Sequence, residues 1–262
     1  MARVRIGRIW IDDLAFDEAL SAIEELIGRG GAVFTPNVDH VVTAERNEEF
    51  RAAYEAAELS VADGQWVVWA ARVLGTPLPA KISGSDLVLP LAKRLGARGR
   101  SAYYLGGAPG AAEAAAERLS RECGLRIAGV DSPRIDLRSP DQAVVERVKA
   151  ARPDVVFVAL GSPKQELWIH RNREALRPAV LAGVGATLDF LAGQVRRAPP
   201  WISRSGLEWL FRLALEPRRL ARRYLVDDPQ FALIVLRTFR EPQVRRITAA
   251  KQALGRKDTG IP

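Results

Sequence analysis

The stretch PDVVFVALGSPKQ, residues 153–165, contains a continuous apolar run that ends in a turn of small and polar residues. An unbroken apolar run, rather than alternation of apolar and polar residues, is typical of a strand buried on both faces of a parallel sheet. A helix is predicted directly after the turn, at residues 164–175. This strand, turn and helix therefore predict one unit of a parallel α/β fold.

The same order of strand and helix recurs on either side of this unit. Strands are predicted at residues 4–12, 32–37, 58–63, 101–107, 125–130 and 179–186, and helices at 16–27, 39–57, 110–123 and 140–151. Strands that alternate with helices of about 10–15 residues imply right-handed crossovers. The sequence thus predicts an α/β fold with a Rossmann-like, mostly parallel sheet and helices on both faces.

Composition excludes several classes of protein. The 262 residues are 48% hydrophobic and 27% charged, which is the balance of an ordinary globular protein. One Cys excludes a disulfide framework, and two His make a His-rich zinc site improbable. The N-terminus lacks the apolar run of a signal peptide, and no stretch has 18 consecutive apolar residues. We therefore expect a cytoplasmic protein without a membrane-spanning helix.

The positive charge is concentrated in the last quarter of the chain. Residues 194–262, called the C-terminal segment below, contain 15 basic and 6 acidic residues, whereas residues 1–193 have a net charge of −1. Apolar residues at helical spacing in GLEWLFRLALEP, and the apolar stretch in PQFALIVLRTF, predict amphipathic helices there. We predict an α/β core at 1–193 and a basic helical appendage at 194–262 that faces an anionic partner.

Polar and glycine-rich turns follow the predicted strands, and ligands of parallel α/β sheets bind at this edge. The candidate ligand contacts in these turns are Gly106, Gly107, Ser162, Lys164 and Gly185, because small residues and helix N-termini admit phosphates.

The polar side chains near these turns have structural alternatives. Asp63 is either a helix N-cap or a catalytic base. Thr35 and Asn37 are either turn formers or pocket residues. Gln165 and Glu166 begin a helix, where Glu166 also interacts favourably with the helix dipole.

Several catalytic motifs are absent from the sequence. It has no GxxxxGK[ST] loop, no HExxH and no nucleophile elbow, and GVGATL lacks the third glycine of a dinucleotide fingerprint. No Asp-x-Asp occurs, so the usual carboxylate bridge between a divalent metal and a nucleotide diphosphate is missing. We therefore predict no metal and no cofactor, and expect Lys, Arg and helix N-termini to stabilise any departing diphosphate.

Six stretches together resemble one protein family. They are FTPNVDH (34–40), ADGQWVVWAARVLGTPLPAKISGSDL (62–87), YLGGAPG (104–110), PDVVFVALGSPKQELWIHRNR (153–173), GVGATLDFLAGQVRRAPPW (183–201) and GLEWLFRLALEPRRLARRYL (206–225). In this order they resemble the WecG/TagA/CpsF glycosyltransferases. The resemblance implies an inverting, metal-independent enzyme of bacterial cell-surface polysaccharide synthesis. Such enzymes transfer a sugar, often N-acetylmannosamine or its uronic acid, from a UDP-sugar to a polyprenyl-diphosphate-linked sugar.

The resemblance also implies roles for individual residues. It makes Asp63 the general base and assigns Thr35, Asn37 and Gln165 to the pocket. Further substrate contacts are expected from Glu166 and Asp189, and the donor diphosphate is assigned to Arg212, Arg219 and Arg222. Lys81 stands where the family usually has Arg, so its contact with the diphosphate would lack bidentate geometry.

Partners and location follow from the same resemblance. We expect a peripheral protein on the inner face of the plasma membrane, attached through residues 194–262, with homo-oligomers allowed and no nucleic-acid partner. A nucleotide-sensing module that binds membrane or nucleic acid without catalysis is the main alternative. A nicotinamide-dependent oxidoreductase is a weaker one.

Overall fold

A computed structural model describes residues 2–138, 141–199, 201–202 and 205–241, apart from the side chain of Arg219. The strands are β1 Arg3–Ile6, β2 Ile9–Asp12, β3 Gly31–Phe34, β4 Leu59–Ser60, β5 Ser101–Gly106, β6 Arg126–Asp131, β7 Val155–Ala159 and β8 Val180–Gly183. The helices of the first 193 residues are α1 Phe16–Leu26, α2 Val38–Arg46, α3 Glu48–Glu55, α4 Gln65–Val73, α5 Gly84–Gly96, α6 Ala111–Cys123, α7 Gln142–Ala151, α8 Lys164–Asn172 and α9 Thr187–Leu191.

Strands β3 to β8 form one sheet in the order β4-β3-β8-β7-β5-β6, and every neighbouring pair is parallel. The predicted α/β class with a Rossmann-like parallel sheet is confirmed. Because all six strands point the same way, the turns after β3, β4, β5, β7 and β8 lie at one edge of the sheet.

Helices cover both faces of the sheet, which explains the unbroken apolar strands. In β7 every side chain is buried, with Val156 and Val158 in one core and Val155 and Phe157 in the other. The first core includes residues of α2, α3, α4 and α8, and the second includes residues of α1, α5 and α6. The central strand β7 therefore carries no polar side chain on either face, whereas the edge strand β6 is partly exposed.

The predicted single strand at residues 4–12 is wrong. Strands β1 and β2 pair with each other as an antiparallel hairpin outside the main sheet, with Ile6 opposite Ile9. Gly7 turns the chain with φ of +59°, and a Cβ at this position would lie 2.7 Å from Ile234 Cγ2. Glycine is required there both for the backbone conformation and for the close approach of a helix.

The predicted helix at 39–57 is two helices, because the chain breaks at Asn47. The backbone N–H of Asn47 donates to Thr43 at the end of α2, and its side chain accepts from the Phe50 N–H at the start of α3. Because the Asn47 side chain caps α3, it favours a new helix start at this position over continuation of α2.

The C-terminal segment is helical, as predicted. It contains α10 Glu208–Leu215, α11 Pro217–Arg222, a π-helical turn at Arg223–Asp227 and α12 Gln230–Arg240. Phe231 and Ile234 of α12 are buried in the same core as the β1–β2 hairpin, and Thr238 Oγ1 accepts from the Gly7 N–H at 3.0 Å. Within the described residues, none of the helices has both the length and the apolar character needed to cross a bilayer.

Candidate active site

The structure brings Asp63 and Asn37 together at the carboxyl edge of the sheet. Asn37 follows β3 and Asp63 follows β4, and the Asp63 N–H donates to the Pro36 carbonyl at 2.9 Å. This backbone hydrogen bond joins the two turns. Thr35 lies in the same turn as Asn37 and is almost completely buried.

Asn37 uses its carboxamide oxygen within the protein. This oxygen caps α2 by accepting from the His40 N–H and also accepts from Arg223 Nη2, both at 3.3 Å. Asn37 is therefore the N-cap of α2, a structural role that the sequence analysis gave only as turn formation. Because the oxygen is engaged twice, the amide NH₂ is the group that Asn37 can offer to a ligand.

Asp63 is not a helix N-cap, so that alternative is wrong. The N-cap of α4 is Gly64, whose φ of +98° favours glycine. The pKa of the Asp63 carboxyl is raised from 3.8 to about 7, chiefly by burial and next by the nearby carboxylate of Glu208. Lys81 and Arg212 oppose this rise in pKa. A carboxyl with a pKa near neutrality in a cavity has the properties of a general base.

A cavity of about 320 Å³, here the Asp63 cavity, separates the α/β core from the C-terminal segment. Its lining combines polar and aromatic side chains from both sides: Asn37, Asp63, Gln65 and Trp66 from the core, and Glu208, Trp209, Arg212, Arg223, Tyr224, Asp228 and Phe231 from the segment. It therefore offers three carboxyl groups, two amides, two guanidinium groups and aromatic surface to one ligand.

Lys81 lies beside this cavity and contacts two carboxylates. Its Nζ is 3.7 Å from Asp86 Oδ2 and 3.8 Å from Glu208 Oε2. Asp86 also accepts from Ser83, the N-cap of α5, and forms an ion pair with Arg197. The predicted contact of Lys81 with a diphosphate stays a prediction.

The arginines predicted from the resemblance lie in different surroundings. Arg212 lines the Asp63 cavity and lies over the ring of Phe190, with its guanidinium carbon 5.4 Å from the ring centroid. Arg222 is exposed, and its predicted role stays a prediction. The side chain of Arg219 lies outside the described residues.

Gln165 and Glu166 form a buried polar pair at the start of α8. Gln165 Nε2 donates to Glu166 Oε1 at 2.7 Å, and Gln165 Oε1 accepts from the Gly185 N–H at 3.0 Å. Gln165 therefore connects the turn after β7 with the turn after β8. The pKa of Glu166 is raised from 4.5 to about 7, chiefly by burial, and the hydrogen bond from Gln165 opposes this rise.

His40 belongs to the same buried network. Its Nδ1 is 2.8 Å from the Tyr54 hydroxyl and its Nε2 is 3.9 Å from Glu166 Oε1. The pKa of His40 is lowered to about 3, chiefly by burial and also by the positive charge of Arg223. His40 is therefore neutral at physiological pH and serves as a hydrogen-bonding group in the core.

A second cavity of about 650 Å³, here the Gly106 cavity, opens at the ends of β5 and β7. Gly106, Gly107 and Lys164 line it together with Arg134 and Arg138. The φ values of Gly106 and Gly107 are +98° and +81°, and a Cβ on Gly106 would lie 2.6 Å from the Ala159 carbonyl oxygen. Only glycine allows this backbone to form one wall of the cavity.

Asp189 lies behind the turn that contains Gly107. Its Oδ1 accepts from the Ala108 N–H at 2.8 Å, so it holds the turn in place. Its contact with substrate, like those of Gly185 and Ser162, stays a prediction.

Sequence reasoning missed Glu208, Arg223, Trp66, Trp209 and Tyr224 as cavity residues. Trp66 follows the Asp63–Gly64 turn directly, and its aromatic side chain so close to a candidate base was a usable signal. Arg223 lies next to Arg222 in the chain, and helical spacing did not distinguish the two, since Arg223 begins a π-helical turn. Among the residues that the structure describes, no group of three or more His, Cys, Asp or Glu is arranged to hold a metal ion.

Comparisons with known proteins identify the family of this chain. The model of the "Glycosyl transferase WecG/TagA/CpsF family" matches residues 4–245. The N-acetylglucosaminyldiphosphoundecaprenol N-acetyl-beta-D-mannosaminyltransferase of Bacillus spizizenii is 31% identical over 210 residues, which cover 80% of each chain. The chain is therefore a glycosyltransferase rather than a binding module or an oxidoreductase, and it belongs to the WecG/TagA/CpsF family.

Proposed function

We propose that this glycosyltransferase moves an N-acetylmannosamine-type sugar from a UDP-sugar to a polyprenyl-diphosphate-linked N-acetylglucosamine during synthesis of a cell-surface polymer. The named activity of the Bacillus spizizenii relative supports the transferred sugar and the acceptor. The UDP-sugar donor follows from the family resemblance.

The base in this proposal is Asp63. The acceptor hydroxyl attacks the anomeric carbon, its proton passes to the Asp63 carboxylate, and the bond between the anomeric carbon and the UDP oxygen breaks. This direct displacement inverts the anomeric configuration. The single observation that carries the proposal is a carboxyl with a pKa of about 7 in a cavity shared with two arginines.

Cations from both sides of the Asp63 cavity stabilise the departing UDP in this scheme. Arg212 and Arg223 line the cavity, and Lys81 lies close enough to lower the pKa of Asp63. Preorganised cations that face developing negative charge lower the barrier without a metal ion. We therefore propose metal-independent transfer.

The two cavities divide the substrates between them. We assign the nucleotide end of the donor to the Gly106 cavity, because its glycine wall lets a ligand approach the backbone closely and Lys164, Arg134 and Arg138 supply positive charge. We assign the acceptor sugar to the Asp63 cavity, whose aromatic residues suit the apolar face of a sugar ring.

The C-terminal segment is the proposed membrane-attachment surface. Leu225, Val226, Leu233, Leu236 and Phe239 are exposed apolar side chains in a region with a large excess of Arg. Such a surface suits an anionic bilayer, in which apolar side chains insert between headgroups and basic residues contact phosphates. The acceptor lipid would then present its sugar at the inner face of the plasma membrane.

The decisive experiment supplies the full chain with a short-chain polyprenyl-diphosphate-GlcNAc and a panel of UDP-sugars. We expect UDP release and a new glycolipid with UDP-N-acetylmannosamine, and slower or no turnover with UDP-glucose. NMR of the product should show inversion at the anomeric carbon. Absence of a glycolipid with every donor in the panel would contradict the proposed function.

Metal independence is tested in the same assay. Turnover should be unchanged in EDTA, and addition of Mg²⁺ afterwards should not raise it. A rate that falls in EDTA and recovers with Mg²⁺ would overturn that part of the proposal.

A further inference from the structure

Glu208 reaches the Asp63 cavity because the chain just before it is attached to the core. Trp66 Nε1 donates to the Gly206 carbonyl at 3.0 Å, although the two residues are 140 positions apart. A Cβ on Gly206 would lie 3.0 Å from the Trp69 ring, so the backbone packs closely against α4. Glu208 follows two residues later, in the first turn of α10, and lines the cavity.

The Glu208 carboxylate contacts both cations that stabilise ionised Asp63. Its Oε2 is 3.8 Å from Lys81 Nζ, and its Oε1 is 4.0 Å from Arg212 Nε. The Glu208 side chain is about 31% exposed and that of Lys81 about 15%, so water screens this group only partly. Glu208 therefore partly neutralises the positive charge of Lys81 and Arg212, which weakens the attraction of these cations for ionised Asp63.

The electrostatic effect on Asp63 agrees with this arrangement. Among the residues that the structure describes, four charged groups have the leading effects on it: Glu208 and Asp86 raise its pKa, and Lys81 and Arg212 lower it. After burial, Glu208 has the largest influence of the four. Without this carboxylate the pKa of Asp63 would fall toward its ordinary value, and a base of lower pKa removes a hydroxyl proton less effectively.

We propose that Glu208, a residue of the C-terminal segment, is a positioning residue for the transfer reaction. Its carboxylate contacts Lys81 and Arg212 and so keeps Asp63 a strong base. The segment therefore supplies, besides cations for the leaving group, a carboxylate that sets the strength of the base. This inference rests on the proposed function, in which Asp63 accepts the proton.

The test is the pH profile of kcat for Glu208→Gln with the short-chain acceptor. We expect the acid limb, which lies near pH 7 in the unchanged chain if Asp63 titrates there, to move to lower pH, and the plateau at high pH to fall several-fold. The ratio of variant to unchanged activity should therefore rise as the pH falls, which general structural damage does not produce.

Two further variants complete this test. Lys81→Met removes a cation that lowers the pKa of Asp63, so its acid limb should move the opposite way, to higher pH. Glu113→Gln on the exposed side of α6 is the matched control and should leave the profile unchanged. Profiles of equal shape for Glu208→Gln and the unchanged chain would overturn the proposal.

A direct titration needs no turnover. The ¹³C NMR signal of the Asp63 carboxyl, assigned by its loss in Asp63→Asn, should titrate near pH 7 in the unchanged chain and clearly lower in Glu208→Gln. An unchanged midpoint would refute the role of Glu208. If instead Asp63→Asn retained full turnover, the proposed base would fail, so failure of the two proposals can be distinguished.

Discussion

The turns at the carboxyl edge of the sheet and the C-terminal segment face each other across the Asp63 cavity, but the core holds them differently. The Asp63 turn is joined to the Pro36 turn by a backbone hydrogen bond, and the strands before both turns are buried. Helix α10, on the other side, has no buried residue among those described. The Trp66–Gly206 hydrogen bond and the docking of α12 on the hairpin attach the segment.

This difference separates two tasks within one site. The core fixes the position of the base, because buried strands and backbone hydrogen bonds allow little movement. The segment supplies Glu208, Arg212 and Arg223, which adjust the charge around that base. Changes to the core side of the cavity should therefore affect the chemical step most, and changes to the segment should act through electrostatics or membrane attachment.

The largest expected effect follows from Asp63→Asn, which removes the base while keeping the side-chain size. We expect kcat to fall by about 10²- to 10⁴-fold, the usual contribution of a positioned general base. Donor binding should change little. The measurement is steady-state UDP release with the short-chain acceptor.

Asp17→Asn is the matched control, because it removes a carboxylate that is 85% exposed on α1. It should retain full activity. Near-normal kcat in Asp63→Asn would show that Asp63 is not the base. It would also contradict the assignment of the chemical step to the core side of the cavity.

The next effect in size concerns the segment side of the cavity. Arg212→Ala should lower kcat/KM by about 10²-fold, because one preorganised charge at the leaving group is lost. Arg212→Lys should recover only part of this loss, since it restores the charge without the planar guanidinium. Arg240→Ala, at the exposed end of α12, is the control and should be neutral in this assay.

A pH-dependent stability effect tests how strongly the core holds its buried polar groups. The pKa of Glu166 is raised from 4.5 to about 7 on folding. Protonated Glu166 therefore stabilises the folded protein fully below pH 4.5, and this stabilisation is lost as the pH rises through about 7. Glu166→Gln removes the cost of ionising this buried carboxyl at high pH. Its free energy of unfolding relative to the unchanged chain should improve by about 3 kcal/mol between pH 4.5 and pH 8.

Urea unfolding at several pH values measures this difference, and any constant packing change in the variant cancels. The same variant keeps an oxygen that accepts from Gln165, so turnover should fall less than in Asp63→Asn. A stability difference that does not change with pH would show that Glu166 is not the titrating group.

The smallest effect is expected at the membrane-facing side of the segment. Leu233→Gln combined with Leu236→Gln should weaken binding to anionic vesicles by about tenfold, because less apolar surface enters the headgroup layer. Activity on the soluble short-chain acceptor should remain. Ile127→Gln, an exposed apolar position on β6, is the control for vesicle pelleting. Unchanged pelleting of the double variant would argue against this surface.

Much of the fold was predictable because its signals are local. The unbroken apolar strands, the helical periodicity and the glycine-rich turns gave the α/β class and the edge at which ligands bind. The two elements that were predicted wrongly also depend on single residues. A hairpin replaced one strand at Gly7, and a side-chain cap at Asn47 divided one predicted helix.

Residue patterns alone made only the core side of the candidate site predictable, whereas on the segment side the family resemblance named Arg212, which lines the Asp63 cavity. Thr35, Asn37, Asp63, Gln165 and Lys164 stand at the ends of predicted strands, where a parallel sheet gathers polar residues. The groups that face them from the segment could not be paired with them in advance. Arg223 contacts Asn37 across 186 positions, and spacing within a helix carries no information about such a contact.

Residue types and their periodicity specify the strands, the helices and the basic character of residues 194–262, because these properties depend on neighbours along the chain. They do not specify the base strength of Asp63 or the choice of Arg223 as a cavity residue, and Arg212 was named only through the family resemblance. Burial and charges contributed by distant parts of the chain set both, and these are defined once the C-terminal segment has packed against the sheet edge.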